Sequence, residues 1–348
     1  MTAQVIQNIS PDFLAAFRQA AGAGGVVSFA RFMELALYHP ECGYYARPRR
    51  RIGRAPDADF FTAASLGPVF GELVVAACVD LLGAEAAAGF SFVEIGAESP
   101  GAAPEAAGGG ASPAPSVLAD VPHRFAAVTA IALGGALELP PRCVVFSNEL
   151  FDAQPCHRLV WANGGWRECG VALHAGALEE ILLPELTPEV RAVRARLPAA
   201  APDGYRLNLP LAAERLAAAI AAQPWTGLFV AFDYGKSWRE LTEATPAGTV
   251  RAYRRHRQSD DLLAQPGEQD LTCHVCWDWL SEALTAHGFA PPVLESQEAF
   301  FVNHAAPALS RLTVAEAGRF SARKLGMLQL LHPGNMGQKF QVLWARRE

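Results

Sequence analysis

The sequence has no excess of basic residues. Lysine and arginine total 29 against 35 aspartates and glutamates, which gives a formal net charge of −6 over 348 residues. A mildly acidic chain is a poor general ligand for nucleic-acid phosphates, so we expect no nucleic-acid partner. Charged residues are also scarce, at 18%, whereas 51% of the residues are hydrophobic. This balance excludes a disordered scaffold and predicts a sizeable core in one large domain or two modest ones.

Long apolar runs are missing as well. The longest candidate, at residues 73–82, is interrupted by Asp80, and a bilayer-spanning helix needs about 20 apolar residues. Residues 1–10 lack the basic start and the apolar run of a signal peptide. We therefore predict a cytoplasmic protein without a membrane partner.

Paired metal-binding cysteine motifs are absent from the sequence. There are seven cysteines, and this odd number favours reduced, buried thiols over a disulfide framework. Cys273 and Cys276 form one CxxC, and no second pair follows at the spacing of a zinc site. We expect two ordinary thiols near the start of a helix and no metal, with metal or redox use as the less favoured alternative.

Buried strands alternate with helices along the chain, a pattern typical of a parallel α/β sheet. Short apolar and β-branched runs predict the buried strands, and these runs are residues 92–96, 125–131, 144–147 and 228–233. Turns at Asn163-Gly164-Gly165 and His174-Ala175-Gly176 separate three further strands and predict a β-meander. Near the C-terminus, Thr313 and Glu316 predict a capping box for a helix that reaches Leu331.

Several stretches, in a fixed order along the chain, carry a resemblance to a known family. They are FMELALYHP at 32–40 with GYY at 43–45, DFFTA at 59–63, NELFDAQP at 148–155, DYG at 233–235 and PGEQDLTCHV at 266–275. Each motif alone is weak, but the set is specific. The chain resembles the MidA-like S-adenosylmethionine-dependent methyltransferases, relatives of the mitochondrial complex I assembly arginine methyltransferase.

The resemblance implies an α/β fold with a Rossmann-like class I methyltransferase core. A helical N-terminal region at residues 1–84 would cover the site, and the core at 85–348 would carry the β-meander as an insertion at about 157–184. The implied cofactor is S-adenosylmethionine. The implied activity is methylation of a protein side chain, arginine, so a protein substrate or partner is expected.

The resemblance also places the cofactor. Its glycine loop follows the first core strand, so Glu94 and Gly96 fall on cofactor-binding positions. Asp59 and Thr62 fall on the N-terminal loop that covers the cofactor in the family. Glycine suits such a loop because a side chain would block the approach of the ligand.

Three residues are predicted to be catalytic: Asn148, Glu149 and Asp152. Asn148 follows a buried strand, where open α/β sheets place their ligand crevice, and its amide can position an amine. Glu149 and Asp152 are carboxylates that can grip a guanidinium group, since arginine pairs with carboxylates in a bidentate way.

The glycine loop departs from the family pattern, which is close to E-x-G-P-G-x-G-T. Gly96 is kept, but Glu98 and Pro100 stand at the places of the next two glycines. This departure leaves open the alternative that the chain is a catalytically inactive methyltransferase-fold protein that acts through protein–protein binding. A dinucleotide oxidoreductase is disfavoured because no G-x-G-x-x-G follows the first strand.

The sequence alone does not assign a role to two further motifs. Asp233-Tyr234-Gly235 suits a strand-to-loop turn as well as a pocket wall. His274 is more often a satisfied structural histidine than a catalytic one.

Overall fold

The computed structural model describes residues 9–46, 63–97 and 116–348. Its strands in chain order are β1 (Val26–Ser28), β2 (Ser91–Ile95), β3 (Ala127–Ile131), β4 (Arg142–Asn148), β5 (His157–Ala162), β6 (Gly165–His174), β7 (Ala177–Leu182), β8 (Arg206–Leu209), β9 (Thr226–Asp233), β10 (Gly235–Lys236), β11 (Arg251–Arg254), β12 (Arg257–Ser259), β13 (Asp270–Thr272), β14 (Val275–Cys276), β15 (Val293–Ser296) and β16 (Gln341–Arg347).

The helices of the described residues are α1 (Pro11–Ala21), α2 (Phe29–Tyr38), α3 (Pro68–Leu82), α4 (Pro188–Ala192), α5 (Leu211–Ala221), α6 (Trp238–Glu243), α7 (Trp277–Ala286), α8 (Gln297–His304), α9 (Ala306–Glu316) and α10 (Ala322–Leu331). None of them is long and apolar enough to cross a membrane. Ser28 caps α2 by accepting a hydrogen bond from the backbone N–H of Arg31.

A six-stranded sheet forms the centre of the molecule, in the order β15-β16-β9-β4-β2-β3. Strands β3, β2, β4 and β9 run parallel, and β16 is antiparallel to both of its neighbours. The prediction that residues 92–96, 144–147 and 228–233 form neighbouring parallel strands is therefore confirmed. The α/β class and the Rossmann-like core follow from this topology.

The register of the central sheet decides which residues meet at its carboxyl edge. Ile95 pairs with Ser147, and Asn148 pairs with Phe232. Gly96, Asn148 and Asp233 therefore leave their strands at the same edge. The common edge expected for Gly96 and Asn148 is confirmed.

Helices cover both faces of the central sheet. On one face, Phe70 of α3 packs against Phe146 and Phe232 with ring centroids 6.3 and 5.4 Å apart. On the other face, α5 and α7 bury an apolar layer that includes Ala217 and Leu280. The division of the chain at residue 84 stays a prediction.

The predicted β-meander is formed by β5, β6 and β7, which pair as antiparallel neighbours. The sequence did not predict that this meander belongs to a larger sheet. Strand β8 joins it at β5, and β1 from the N-terminal region joins it at β6, where Val27 lies opposite Val171. The pairing ties the N-terminal region to the insertion.

The predicted capping box at Thr313 and Glu316 is wrong. Both residues lie inside α9, where the Thr313 hydroxyl donates to the carbonyl of Leu309. The helix that reaches Leu331 begins at Ala322 and is capped by Ser321, whose hydroxyl accepts from the N–H of Lys324 at 3.1 Å. The Glu316 carboxylate accepts from the Ser321 hydroxyl at 2.6 Å, so it supports the cap from outside the helix.

Candidate active site

The predicted catalytic residues lie together on the loop that follows β4. Asn148 ends the strand, and its amide nitrogen donates to Oε1 of Glu149 at 3.1 Å. Asp152 is buried three residues further on. Among the described residues, Asn148 Oδ1 and Asp152 Oδ1 are buried without a hydrogen-bond partner. Orphaned buried acceptors are costly unless a ligand satisfies them, so this loop is the strongest candidate for the binding of a donor-rich substrate.

A third carboxylate, Asp233, reaches this loop from the end of β9. Its Oδ2 accepts hydrogen bonds from the N–H groups of Phe151 at 2.9 Å and Asp152 at 3.2 Å, and its Oδ1 accepts from the N–H of Tyr234 at 2.7 Å. Asp233 has an exposed fraction of 0%. The sequence placed this residue at the correct edge but gave it no role; the only signal was a DYG motif at the end of a buried strand.

Tyrosine side chains close the site on the side of the N-terminal region. The Tyr234 hydroxyl donates to Glu149 Oε2 at 3.3 Å, and the Tyr38 hydroxyl donates to the carbonyl of Ala153 at 2.8 Å. The Tyr38 and Tyr45 rings stack with centroids 5.4 Å apart, and the Tyr45 hydroxyl donates to Asp270 Oδ1 at 3.1 Å. Aromatic rings beside carboxylates form a favourable environment for an organic cation.

The carboxylates have an unusual affinity for protons. Burial, followed by the negative charge of Asp233, raises the pKa of Glu149 to about 8. Burial and the charges of Asp233 and Glu149 raise the pKa of Asp152 well above its ordinary value. Burial also raises the pKa of Asp233, although the backbone N–H groups that it accepts oppose the shift. Perturbed carboxyl groups of this kind are typical of functional sites.

No described lysine, arginine or histidine forms an ion pair with Glu149, Asp152 or Asp233. Buried acidic groups are normally paired with a cation or hydrogen-bonded throughout. The cluster is therefore suited to a cation that arrives with a ligand.

The predicted cofactor-binding residues Glu94 and Gly96 lie at the end of β2, next to this cluster. Oε2 of Glu94 accepts from the Ser116 hydroxyl and from the N–H of Val117, both at 2.7 Å, so this buried carboxylate anchors residues 116 and 117 to the end of β2. Burial raises the pKa of Glu94. The other two predicted residues, Asp59 and Thr62, lie outside the described part of the chain.

A side chain at position 96 would be strained. The φ of Gly96 is +80°, and a Cβ atom would lie 2.8 Å from Cδ1 of Leu150. The residues at this edge fit S-adenosylmethionine, because Asn148 offers an unsatisfied acceptor to an amine at the carboxyl edge of the sheet. Glu94 would act there by holding the loop.

The remaining candidates lie beside the site. Burial lowers the pKa of His274 to about 4, so its imidazole is neutral at physiological pH. Cys273 and Cys276 are buried free thiols, and the described residues contain no group of His, Cys, Asp and Glu suited to a metal ion.

Comparisons with known proteins agree with this architecture. Residues 128–293 match a family described as "Putative S-adenosyl-L-methionine-dependent methyltransferase". The mitochondrial protein arginine methyltransferase NDUFAF7 of Danio rerio is 25% identical over 92% of this chain and 83% of its own length. Its Drosophila melanogaster homologue is 26% identical over 72% of this chain and 65% of its own length.

Two solved structures from Burkholderia thailandensis have the same fold. One, a "likely methyl transferase" bound to S-adenosyl-homocysteine, superposes with a TM-score of 0.80 and is 26% identical, covering 97% of this chain and 94% of its own. The other, a native crystal structure, gives a TM-score of 0.76 at the same identity and coverage. Together with the sheet order and the carboxyl-edge site, these matches support a MidA-like S-adenosylmethionine-dependent methyltransferase.

Proposed function

We propose that this methyltransferase acts on arginine side chains of a protein substrate. The observation that carries the proposal is the carboxylate cluster of Glu149, Asp152 and Asp233, which has no basic partner among the described residues and lies at the cofactor edge of the sheet. A guanidinium group is planar, cationic and rich in N–H donors, and it pairs with carboxylates in a bidentate way.

The names of the relatives support the same substrate class. The zebrafish and fruit-fly proteins are both named protein arginine methyltransferases, at 25% and 26% identity. A cytoplasmic location and the absence of nucleic-acid and membrane partners stay predictions from the sequence.

In the mechanism that this geometry supports, S-adenosylmethionine supplies a methyl group activated by its sulfonium sulfur. Glu149 and Asp152 bind the guanidinium and orient one nitrogen, while Asn148 offers its unpaired oxygen to an amine of either reactant. The methylated nitrogen must lose a proton, and Glu149, with a pKa raised to about 8, is suited to accept it near neutral pH.

The proposal is tested with the full chain, radiolabelled S-adenosylmethionine and three peptides that differ only in one residue: arginine, lysine or citrulline. We expect label in the arginine peptide alone, recovered as methylarginine after hydrolysis. Transfer to lysine in preference to arginine would refute the substrate class. Cofactor binding without transfer to any protein would favour the non-catalytic alternative instead.

A further inference from the structure

The loop at residues 149–152, which carries the candidate site residues, has an unfavourable backbone conformation that hydrogen bonds to β9 stabilise. Glu149 has a φ of +54°, in the left-handed region that a residue with a side chain seldom adopts. Its N–H donates to the carbonyl of Phe232 at 2.9 Å. The next support is the carboxylate of Asp233, which accepts the N–H groups of Phe151 and Asp152. The end of β9 therefore fixes the loop at three of its N–H groups.

Glycine and asparagine tolerate positive φ better than glutamate does, and a short amide would accept the same turn. The presence of a glutamate here indicates that its carboxylate is needed where the turn places it. That place is beside Tyr234, whose hydroxyl donates to Glu149, and within reach of the charge of Asp233 at the end of β9.

Asp233 also brings a charge into the interior. A buried carboxylate is costly, and three backbone donors compensate for only part of that cost. A serine, threonine or asparagine has a single side-chain oxygen and could not accept from all three backbone groups, because they use both oxygens of Asp233. Asp233 is therefore at once the acceptor that holds the turn and a negative charge close to Glu149 and Asp152.

We propose that Asp233 is a positioning residue of the active site: it shapes the Glu149–Asp152 turn, and its charge keeps a proton on Glu149 until a substrate cation displaces it. This inference rests on the proposed function, because it requires a cationic substrate. Binding of the substrate cation releases the proton of Glu149 to water. In the reaction, the substrate nitrogen forms a bond to the methyl carbon while the bond from that carbon to sulfur breaks, and the N–H proton moves to a carboxylate oxygen of Glu149, which becomes a carboxylic acid. No external oxidant or reductant takes part.

The acidic groups around Glu149 favour this proton, whereas the hydrogen bonds that Glu149 accepts from Asn148 and Tyr234 oppose it. The groups that face Glu149 or its neighbour Asp152 are Asp152 on the same loop, Asp233 and Tyr234 at the end of β9, Tyr253 on β11, Asp270 on β13 and Tyr38 on α2. Arg251, on β11 beside Tyr253, is paired with Asp260 at 3.5 Å. The charges that act on Glu149 are thus negative, and Asp233 raises the pKa of Glu149 more than Asp270 does.

The test is Asp233→Asn in the full chain, with arginine-peptide methylation measured as a function of pH. We expect the acidic limb of kcat/KM to move to lower pH by roughly one unit, the order of effect of a neighbouring charge. We also expect kcat to fall about tenfold with an unchanged KM for S-adenosylmethionine, since misplacement of the loop affects the reacting groups rather than the cofactor. An acidic limb that stays in place would overturn the electrostatic role.

Two further variants separate charge from shape. Asp233→Glu keeps the charge on a longer side chain, so the acidic limb should keep its position while kcat falls. Glu240→Gln removes a carboxylate from the cap of α6, where Glu240 bonds Ser237 away from the cluster, and should change neither the limb nor kcat. If all effects of Asp233→Asn were matched by Asp233→Glu, the role would be one of shape alone and the proposal would be wrong.

A measurement on the unmodified protein covers the case in which Asp233→Asn does not fold. Binding of N-acetyl-arginine amide is followed by calorimetry near pH 7 in two buffers with different ionisation enthalpies. We expect binding to release protons, so the apparent enthalpies should differ between the buffers. Equal enthalpies with clear binding would refute the held proton. Absence of both binding and arginine methylation would instead refute the proposed function.

Discussion

At the scale of single residues, Glu149 carries the largest share of the proposed chemistry. Replacement by glutamine keeps its size and removes its charge. We expect Glu149→Gln to lower kcat/KM for an arginine peptide about ten- to a hundredfold, because a hydrogen bond to a charged group contributes roughly 1.5–3 kcal/mol. The dissociation constant of S-adenosylmethionine should change little, and steady-state kinetics with calorimetry check both.

The matched control for this variant is Glu34→Gln on α2, where an exposed glutamate pairs with Arg31. It should leave turnover and cofactor affinity unchanged. Full activity in Glu149→Gln would show that the Glu149 carboxylate is not needed to bind the guanidinium group.

Asp152 has two possible roles, and a second substitution distinguishes them. If its unpaired Oδ1 faces the substrate, Asp152→Asn should reduce turnover as Glu149→Gln does, with a nearly unchanged melting temperature. If it only supports the turn, the variant should melt earlier and keep most of its turnover. We expect the first outcome, because the backbone of Asp152 is already held by Asp233 and by Cys273, whose N–H donates to its carbonyl at 2.8 Å.

At the scale of elements, the glycine loop after β2 is where this chain departs most from its family. Proline fixes its φ and has no N–H, and glutamate adds bulk where the family pattern has glycine. We therefore expect the double variant Glu98→Gly, Pro100→Gly to bind S-adenosylhomocysteine about tenfold more tightly, a difference of about 1.4 kcal/mol by calorimetry.

Pro122→Gly is the control for this loop, since it removes an exposed proline from the same connection between β2 and β3. It should leave the affinity as it is. Unchanged or weaker binding by the double variant would mean that Glu98 and Pro100 do not limit the affinity for the cofactor.

The elements also show what the sequence could predict. Strands β2, β4 and β9 are continuous apolar runs with a length and composition that suit a buried parallel strand, and Asn163 and Gly164 both have the positive φ that their hairpin needs. Local sequence patterns were enough to predict these elements, because their conformation depends mainly on the residues within them. The capping box failed because the local sequence does not distinguish the two candidates: Thr313 and Ser321 both precede helix-compatible residues, and the structure has Ser321 as the cap.

The placement of the candidate residues was predicted in part, and their roles stay predictions. The NELFDAQP motif placed Asn148, Glu149 and Asp152 on one loop, and the sheet rule placed that loop beside Gly96. The contacts of Asp233 with Phe151 and of Tyr38 with Ala153 join residues 82 and 115 positions apart. Such contacts depend on strand register and on the docking of α2, which no local pattern in one sequence encodes.

At the scale of the whole molecule, the N-terminal region is joined to the catalytic core through the inserted meander. Strand β1 pairs with β6, while Tyr38 at the end of α2 bonds the active-site loop. The region therefore has a sheet contact that fixes its position and a side-chain contact that reaches the site.

The acidic cluster should also set how the stability of the whole protein depends on pH. An unfolded glutamate has a pKa of about 4.3, and that of folded Glu149 is raised to about 8. A raised carboxyl pKa contributes stability that is complete below the unfolded value and is lost as pH rises through the folded value. Glu149 therefore destabilises the fold progressively between about pH 5 and pH 9.

Other ionisable groups also change the free energy of unfolding with pH. The effect of Glu149 is therefore measured as the difference in this free energy between the wild type and Glu149→Gln. His274, with a pKa lowered to about 4, destabilises the fold as pH falls below about 6.5. This effect is common to the wild type and to Glu149→Gln and cancels in the comparison. Chemical denaturation at pH 5, 7 and 9 gives the free energies of unfolding of both.

We expect Glu149→Gln to match the wild type at pH 5, where Glu149 is protonated and resembles glutamine. At pH 9 the variant should be more stable by about 1–3 kcal/mol, since one unit of pKa displacement corresponds to about 1.4 kcal/mol and partial exposure reduces the full effect. The same residue would then be less active and more stable when replaced, as expected of a strained catalytic group. A variant that is equally or less stable at every pH would show that the Glu149 carboxylate ionises in the folded protein without cost, and the held proton proposed for the active site would lose its basis.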